Sequence, residues 1–391
     1  MPPPLFLDAD PGHDDALAIV LAGHSPLADL QARERETKRE RGARLPPLLT
    51  LSSSPQLVTT VASNHSLGNV TRNAATVIAA AGLGARVALS AGAARPLLAP
   101  SLTCPEIHGG SGLCTRDGPF ADRLPGLERA GAAPRRVAEP AAVALGHAIR
   151  AAAATLPPGG RVKVVATGAL TNVALLLALY PDLEETVDLT IMGGSTIGGN
   201  TSPVAEFNLQ VDPHAAAAVL AAGGRGLRVT LMPLDVTHQA LVTPSILASL
   251  GLAEGAGEGG SSLPPLSPLR AALRDVLLFF AESYASVFDF AAGPPLHDPV
   301  AVFAALAPHH VTTVRVRIDV ETASPLSAGQ TVVDARAQTG RPPNAWLATA
   351  VEWPAFWGAL AAAIAAADAA SPLNGVASAA RAEDCLGKAR G

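Results

Sequence analysis

The chain is poor in several residue types, and each shortage excludes a class of protein. Its 391 residues contain three cysteines, too few and too scattered for a disulfide framework or a cysteine zinc site. Aromatic residues make up 4%, so any core must be built from small aliphatic side chains. Basic residues are outnumbered, 28 against 33 acidic, giving a net charge of −5, and no nucleic-acid partner is expected. No uncharged apolar run reaches the roughly 18 residues of a membrane span; the stretch 358–370 comes nearest, and Asp368 interrupts it. The opening Met1-Pro2-Pro3-Pro4 lacks the basic and apolar regions of a signal peptide. The expectation is a soluble, cytoplasmic protein without a membrane partner. With 49% hydrophobic and 16% charged residues, it has ample material for a packed core.

That core is laid out as short apolar runs alternating with longer alanine- and leucine-rich segments. The runs are 5–7, 56–61, 86–89, 161–165, 187–192, 227–232 and 311–320; the segments read as helices are 14–23, 68–82, 137–154, 171–180, 213–222, 269–290 and 354–369. Such alternation predicts an α/β fold, a single large, open, mainly parallel sheet with helices on both faces, Rossmann-like in its layering. One domain over 1–370 is expected, followed by a disordered tail over 371–391. Two stretches interrupt the pattern. Residues 254–268 read as a flexible Gly/Ser/Pro-rich loop. Residues 28–55 read as an atypical charged insertion containing Arg33–Arg44, where six basic and three acidic side chains give a local +3. The insertion is open to two readings, a solvated surface loop or a segment foreign to the working protein, such as a gene-model error. Its basic run makes the nucleus a second candidate location.

The most informative segment is Asp8-Ala9-Asp10-Pro11-Gly12-His13-Asp14-Asp15, four carboxylates in eight residues where the first strand should meet the first helix. Pro11-Gly12 forces a turn, and Asp14 and Asp15 then fall at a helix N-terminus, where negative charge is favoured. Ligands of doubly wound sheets bind at these strand ends. A hard divalent cation, Ca²⁺ or Mg²⁺, would relieve the mutual repulsion, whereas a solvated acidic turn would leave the site without one. Matching polar groups follow later strands: Thr167-Gly168 and Thr171-Asn172, Met192-Gly193-Gly194, Asn200-Thr201, Glu206-Phe207-Asn208, and His297-Asp298-Pro299.

Taken in order, these segments resemble the inosine–uridine-preferring nucleoside hydrolases. The first matches that family's Asp-x-Asp-x-x-x-Asp-Asp signature. The likeness continues through Thr59–Asn64, Val70–Ala74, Ile107–Leu113, Ala166–Asn172, Ile191–Gly194, Asn200–Asn208 and Pro295–Val302. It implies Ca²⁺-dependent hydrolysis of the N-glycosidic bond of a ribonucleoside, giving ribose and free base, with a role in nucleoside catabolism and pyrimidine salvage. The implied metal ligands are Asp10, Asp15, Asp298 and the backbone carbonyl of Thr167. Asp10 would also take the proton of an attacking water held by the metal, with inversion at the anomeric carbon. Ribose contacts map to Asp14, Asn64, Met192, Asn200, Glu206 and Asn208, and Asp8 is expected to orient the other carboxylates. His297 and His108 match histidines that serve the departing base, and Tyr284 is a candidate mobile cover over it. Purine-specific members stack the base between tryptophans; here Gly109 follows His108, and Trp346, Trp353 and Trp357 all lie near the C-terminus. Uridine is therefore the expected substrate, with inosine and cytidine next. A homo-oligomer, dimer or tetramer, is implied as well. Two alternatives belong to other classes: a noncatalytic nucleoside or ribose binder with a disturbed site, and a haloacid-type phosphotransferase suggested only by Asp8-x-Asp10.

Overall fold

The computed structural model describes residues 4–25, 57–254 and 265–375. The insertion at 28–55, most of the 254–268 loop, and the tail from 376 onward lie outside the described residues. Residues 371–375 close the last helix and bury Ser371 and Leu373.

Twelve strands are present among the described residues: β1 (Leu5–Ala9), β2 (Leu57–Thr60), β3 (Ala88–Ala91), β4 (Cys114–Thr115), β5 (Gly118–Pro119), β6 (Arg135–Val137), β7 (Val162–Ala166), β8 (Val187–Met192), β9 (Arg228–Met232), β10 (Val311–Val320), β11 (Thr331–Asp334) and β12 (Ala345–Val351). Ten of them form one sheet in the order β11-β10-β12-β9-β8-β7-β1-β2-β3-β6, while β4 and β5 make a separate hairpin. The run from β12 to β6 is parallel throughout, and β10 pairs antiparallel with both β12 and β11 at one edge. The expected α/β architecture with a mainly parallel sheet is therefore what the chain forms.

Strand β1 shows why the sheet is covered twice. All five of its residues are buried, and successive side chains point to opposite faces. Leu5, Leu7 and Ala9 enter one core, and Phe6 enters the other. The first core is roofed by helices His13–His24, Leu67–Ala80, Pro268–Phe288, His297–Leu306 and Trp353–Ala370; the second by Ala141–Ala153, Thr171–Leu179 and Pro213–Ala222. Helix Trp353–Ala370 is long and apolar enough by composition to cross a membrane. Instead Phe356, Leu360, Ala363 and Ile364 are buried in the first core, and Asp368 near its end pairs with Arg270.

Sheet order also locates the site. From β1 the chain adds β2, β3 and β6 on one side, then returns to add β7, β8 and β9 on the other. The reversal leaves a crevice beyond the carboxyl ends of β1 and β7, where ligands of such sheets bind. The segment expected as one helix over 137–154 divides: residues 135–137 form edge strand β6, and Pro140 stands at the N-cap of a helix starting at Ala141. Strands β11 and β12 were not among the expected runs. The first is a four-residue edge strand; the second is Ala-Trp-Leu-Ala-Thr-Ala-Val, whose alanines obscure a β pattern.

Candidate active site

The carboxylate turn sits at the crevice. Asp8 is the fourth of the five buried residues of β1; its Oδ1 accepts hydrogen bonds from Thr59 Oγ1 (2.6 Å) and Asn172 Nδ2 (2.8 Å), which ties together β1, β2 and the helix after β7. Burial pushes the Asp8 carboxyl up to about 6, those two donors notwithstanding. Asp10 lies wholly buried: Oδ2 accepts the backbone N–H of Asn64 (2.9 Å), whereas Oδ1 has no hydrogen-bond partner. Its pKa is driven well above the ordinary carboxylate range, first by burial and then by the neighbouring Asp15 charge. Gly168 permits this close fit, since a Cβ there would stand 2.7 Å from Asp10 Oδ1.

Asp14 and Asp15 open helix His13–His24. Asp15 accepts from the Gly12 N–H (3.0 Å), Thr167 Oγ1 (2.9 Å) and Asn64 Nδ2 (3.3 Å). Asp14 accepts the backbone N–H groups of His297 (3.1 Å) and Asp298 (3.3 Å), which anchors the start of a helix 283 residues further on. Carboxylate oxygens of Asp14, Asp15 and Asp298 lie within 4.8 Å of one another. At that separation each pair of charges repels by roughly 3–4 kcal/mol, taking an effective dielectric of 20. Asp14 is pushed up to about 7 by burial and then Asp15; Asp298 is raised well above its usual value by burial and then by Asp14, Asp15 and Asp10. Four converging buried carboxylates, one with an orphaned oxygen, form an all-oxygen donor set that suits a hard divalent cation. The tightest trio includes Asp14, which the sequence reading assigned to ribose, and Asp10 adjoins it. The Thr167 carbonyl also faces this cluster's neighbours, accepting Asn208 Nδ2 at 2.7 Å.

Above the cluster opens a cleft of about 480 Å³, partly continuous with solvent. Asp14, Asn64, His108, Thr167, Met192, Asn200, Glu206, Asn208, Tyr284, His297 and Asp298 all line it, so the structure gathers these expected site residues around one volume; Asp10 and Asp15 lie outside that lining. Asn200 is half-buried, and its Oδ1 holds the N–H groups of Thr201 and Phe207, closing the loop after β8. Glu206 caps the short helix Phe207–Val211: Oε1 accepts from Asn208 N–H and Oε2 from Gly194 and Leu209 N–H. Burial nevertheless lifts it to about 7.

The other end of the cleft is built of rings. His297 is buried with both nitrogens engaged, Nδ1 with Thr237 Oγ1 (2.8 Å) and Nε2 with the Tyr284 hydroxyl (2.8 Å). Burial, then the nearby His238, hold its pKa well below 6.5. Tyr284, expected as a mobile cover, stands here buried, edge-on to Phe280 and hydrogen-bonded to His297. His108 lines the cleft, and its Nδ1 contacts His13 Nδ1 at 2.9 Å. Burial lowers His13 to about 4 and His108 well below 6.5. Sequence reasoning passed over His13, Thr237, Cys104, Ile107 and Phe280. Of these only His13 carried a signal, an ionisable ring inside the aspartate signature. The three tryptophans do not line the cleft; Trp353 and Trp357 pack against the first core.

An open α/β sheet with a buried carboxylate cluster under a polar cleft defines a class of site, one that can hold a hard cation and a polar ligand at the strand ends. Comparison with known proteins supplies the family. The sequence profile described as inosine-uridine preferring nucleoside hydrolase matches residues 47–358. A protein described as a "Probable ribonucleoside hydrolase" from Dictyostelium discoideum is 34% identical over 90% of this chain and 92% of its own length. The inosine-uridine preferring nucleoside hydrolase of Crithidia fasciculata is 32% identical over 92% and 96%. The fold of the plant nucleoside hydrolase PpNRh1 superposes with a TM-score of 0.71 at 22% identity, covering 93% of this chain and 99% of that one. The chain belongs to the inosine–uridine preferring nucleoside hydrolase family, and is an N-glycosyl hydrolase of ribonucleosides.

Proposed function

We propose that the enzyme is Ca²⁺-dependent and prefers uridine, with inosine and cytidine as further substrates. The observation that carries this reading is the unpartnered Asp10 Oδ1 beside three more buried carboxylates, of which Asp14 and Asp298 line the cleft and Asp15 lies behind that lining. Asp10, Asp15, Asp298 and the Thr167 carbonyl would hold the cation, with Asp14 beside them. When bound, it would offset the converging negative charge and lower the pKa of water.

The remaining chemistry belongs to the side chains. Asn64, Asn200, Glu206, Asn208 and Asp14 offer acceptors and amide donors to the ribose hydroxyls, and contacts that tighten as the ring flattens lower the barrier. Asp10 Oδ1 takes a proton from the attacking water, whose oxygen bonds to C1′. The C1′–N bond breaks, its electron pair goes to the base, and the base leaves protonated. His108 and the Tyr284–His297 pair are the proton donors within reach of that end. Attack from the face opposite the base gives inversion. Uridine is favoured because no tryptophan lines the cleft, and a relative from Shewanella woodyi, 32% identical, is described as pyrimidine-specific.

The test is ribose release from uridine, inosine and cytidine before and after chelation. Activity should fall to background when the metal is removed and return with Ca²⁺. Full turnover in rigorously metal-free protein would sink the reading, and specific binding without ribose release would favour the noncatalytic alternative.

A further inference from the structure

His13 lies inside the aspartate signature yet has no part in the chemistry just described. Its ring is fully buried and stacks against Phe279 and Phe280, with centroids 5.2 and 5.1 Å away and planes within 8°. Both of its nitrogens are engaged. Nε2 lies 2.8 Å from the backbone carbonyl oxygen of Cys114. A carbonyl brings no proton, so Nε2 must carry one. Nδ1 lies 2.9 Å from Nδ1 of His108. Two bare nitrogens at that distance would set lone pair against lone pair, so a proton sits between them. A neutral His13 has spent its single N–H on Cys114, and the shared proton therefore belongs to His108. The backbone N–H of His13 also faces His108 Nδ1, but at 3.4 Å, the outer limit of a hydrogen bond. Were that contact to decide, Nδ1 of His108 would be bare and the 2.9 Å contact repulsive. The fit leaves no slack: a Cβ on Gly12 would come within 2.5 Å of His108 Cε1 and Nδ1.

We propose that His13 is a positioning residue that locks His108 in its Nδ1–H tautomer, so that His108 exchanges protons with the base only through Nε2. Nε2 has no hydrogen-bond partner among the described residues, and His108 lines the cleft. The inference rests on the reading of His108 as facing the departing base. In the step concerned, His108 works through its minor cationic form, which burial keeps scarce in the free enzyme: Nε2 of the neutral ring first takes a proton from solvent, then gives it to the base nitrogen leaving C1′. The N–H electron pair stays on Nε2, and the neutral ring that remains is the tautomer His13 holds.

The full chain, labelled with ¹⁵N-histidine, gives a direct readout, with His108 assigned by the signals missing from His108→Asn. Wild type should show a protonated Nδ1 and a bare Nε2 on neutral His108. His13→Phe, which keeps a flat ring but no acceptor, should shift the proton toward Nε2. His13→Asn, whose amide oxygen can take the Nδ1–H, should retain the wild-type pattern. A protonated Nε2 in wild type, or an unchanged tautomer in His13→Phe, overturns the proposal. Turnover separates this from the role of His108 itself. His13→Phe should lower kcat on uridine at least about tenfold, but by less than about threefold on p-nitrophenyl ribofuranoside, whose leaving group needs no proton. Equal losses on both substrates with a shifted tautomer would overturn the reading of His108 as facing the base while upholding the lock.

Discussion

The two ends of the cleft are buried to the same degree but built on opposite principles. At the floor, four aspartates come from one turn and one distant helix start, and their oxygens converge. At the other end, rings from the turn, from helix Pro105–His108, from helix Pro268–Phe288 and from the start of His297–Leu306 meet one another. Burial acts on both in the direction of neutrality, raising the carboxyls and lowering the imidazoles. The floor cannot become neutral and still hold a cation, so it needs that cation as its counter-charge. The ring end can remain neutral, and it manages its protons through hydrogen bonds of fixed direction. On the proposed reading, the floor then serves the sugar carbon and the rings serve the departing base.

The difference can be broken first at the floor. Asp10→Ala removes a buried carboxylate oxygen that has no hydrogen-bond partner and should cut kcat/KM on every nucleoside by about 10³-fold or more, on the order of 4 kcal/mol of transition-state stabilisation. Steady-state ribose release measures it, and a loss below tenfold would remove Asp10 from the reaction. At the ring end the effect should be smaller and depend on the base. Tyr284→Phe keeps the packing on Phe280 but deletes the hydroxyl on His297 Nε2, and should lower kcat on uridine about 10- to 100-fold. With p-nitrophenyl ribofuranoside the loss should nearly vanish. Equal losses would place Tyr284 in folding or ribose binding rather than in base departure.

The floor was also the part most legible in the sequence. Four aspartates in eight residues are a local pattern, and a parallel sheet delivers each later strand end to the same edge, which brings in Thr167 after β7 and Met192 at the end of β8; Asp298 opens a helix that follows no sheet strand, and only the family resemblance singled it out as a metal ligand. Asn64 follows the long insertion, and that insertion put its position most at risk. Strand β2 nevertheless pairs with β1 from Phe6↔Leu57 to Ala9↔Thr60, and the Asn64 N–H reaches Asp10. The ring end was less legible because its contacts are directional and not periodic. Nothing in the spacing of Tyr284 and His297 states that one hydroxyl meets one imidazole nitrogen across a turn. His13 was hidden because its neighbours carry the signature and it occupies one of the signature's unspecified positions. Strand β12 was missed for a simpler reason: its alanines carry little β preference, and pairing with β10 and β9 decides its conformation.

Glu206 lies between the two ends and gives the smallest and most discriminating test. Three backbone N–H groups favour its charged form, yet burial outweighs them and lifts the carboxyl from 4.5 to about 7. The folded chain therefore binds this proton more tightly than the unfolded one. The stability it contributes is fully present below about pH 4.5 and is lost as pH rises through 7. Glu206→Gln has no such titration, and its amide sets an N–H₂ against one of the three donors, so wild type should be the more stable at pH 5. The gap in Tm between the two should then narrow from pH 5 to pH 7.5, as followed by thermal melts at fixed Ca²⁺. A constant gap would mean that the three donors prevail and the carboxylate stays ionised throughout. Glu206 would then belong with the charged floor and not with the neutral rings.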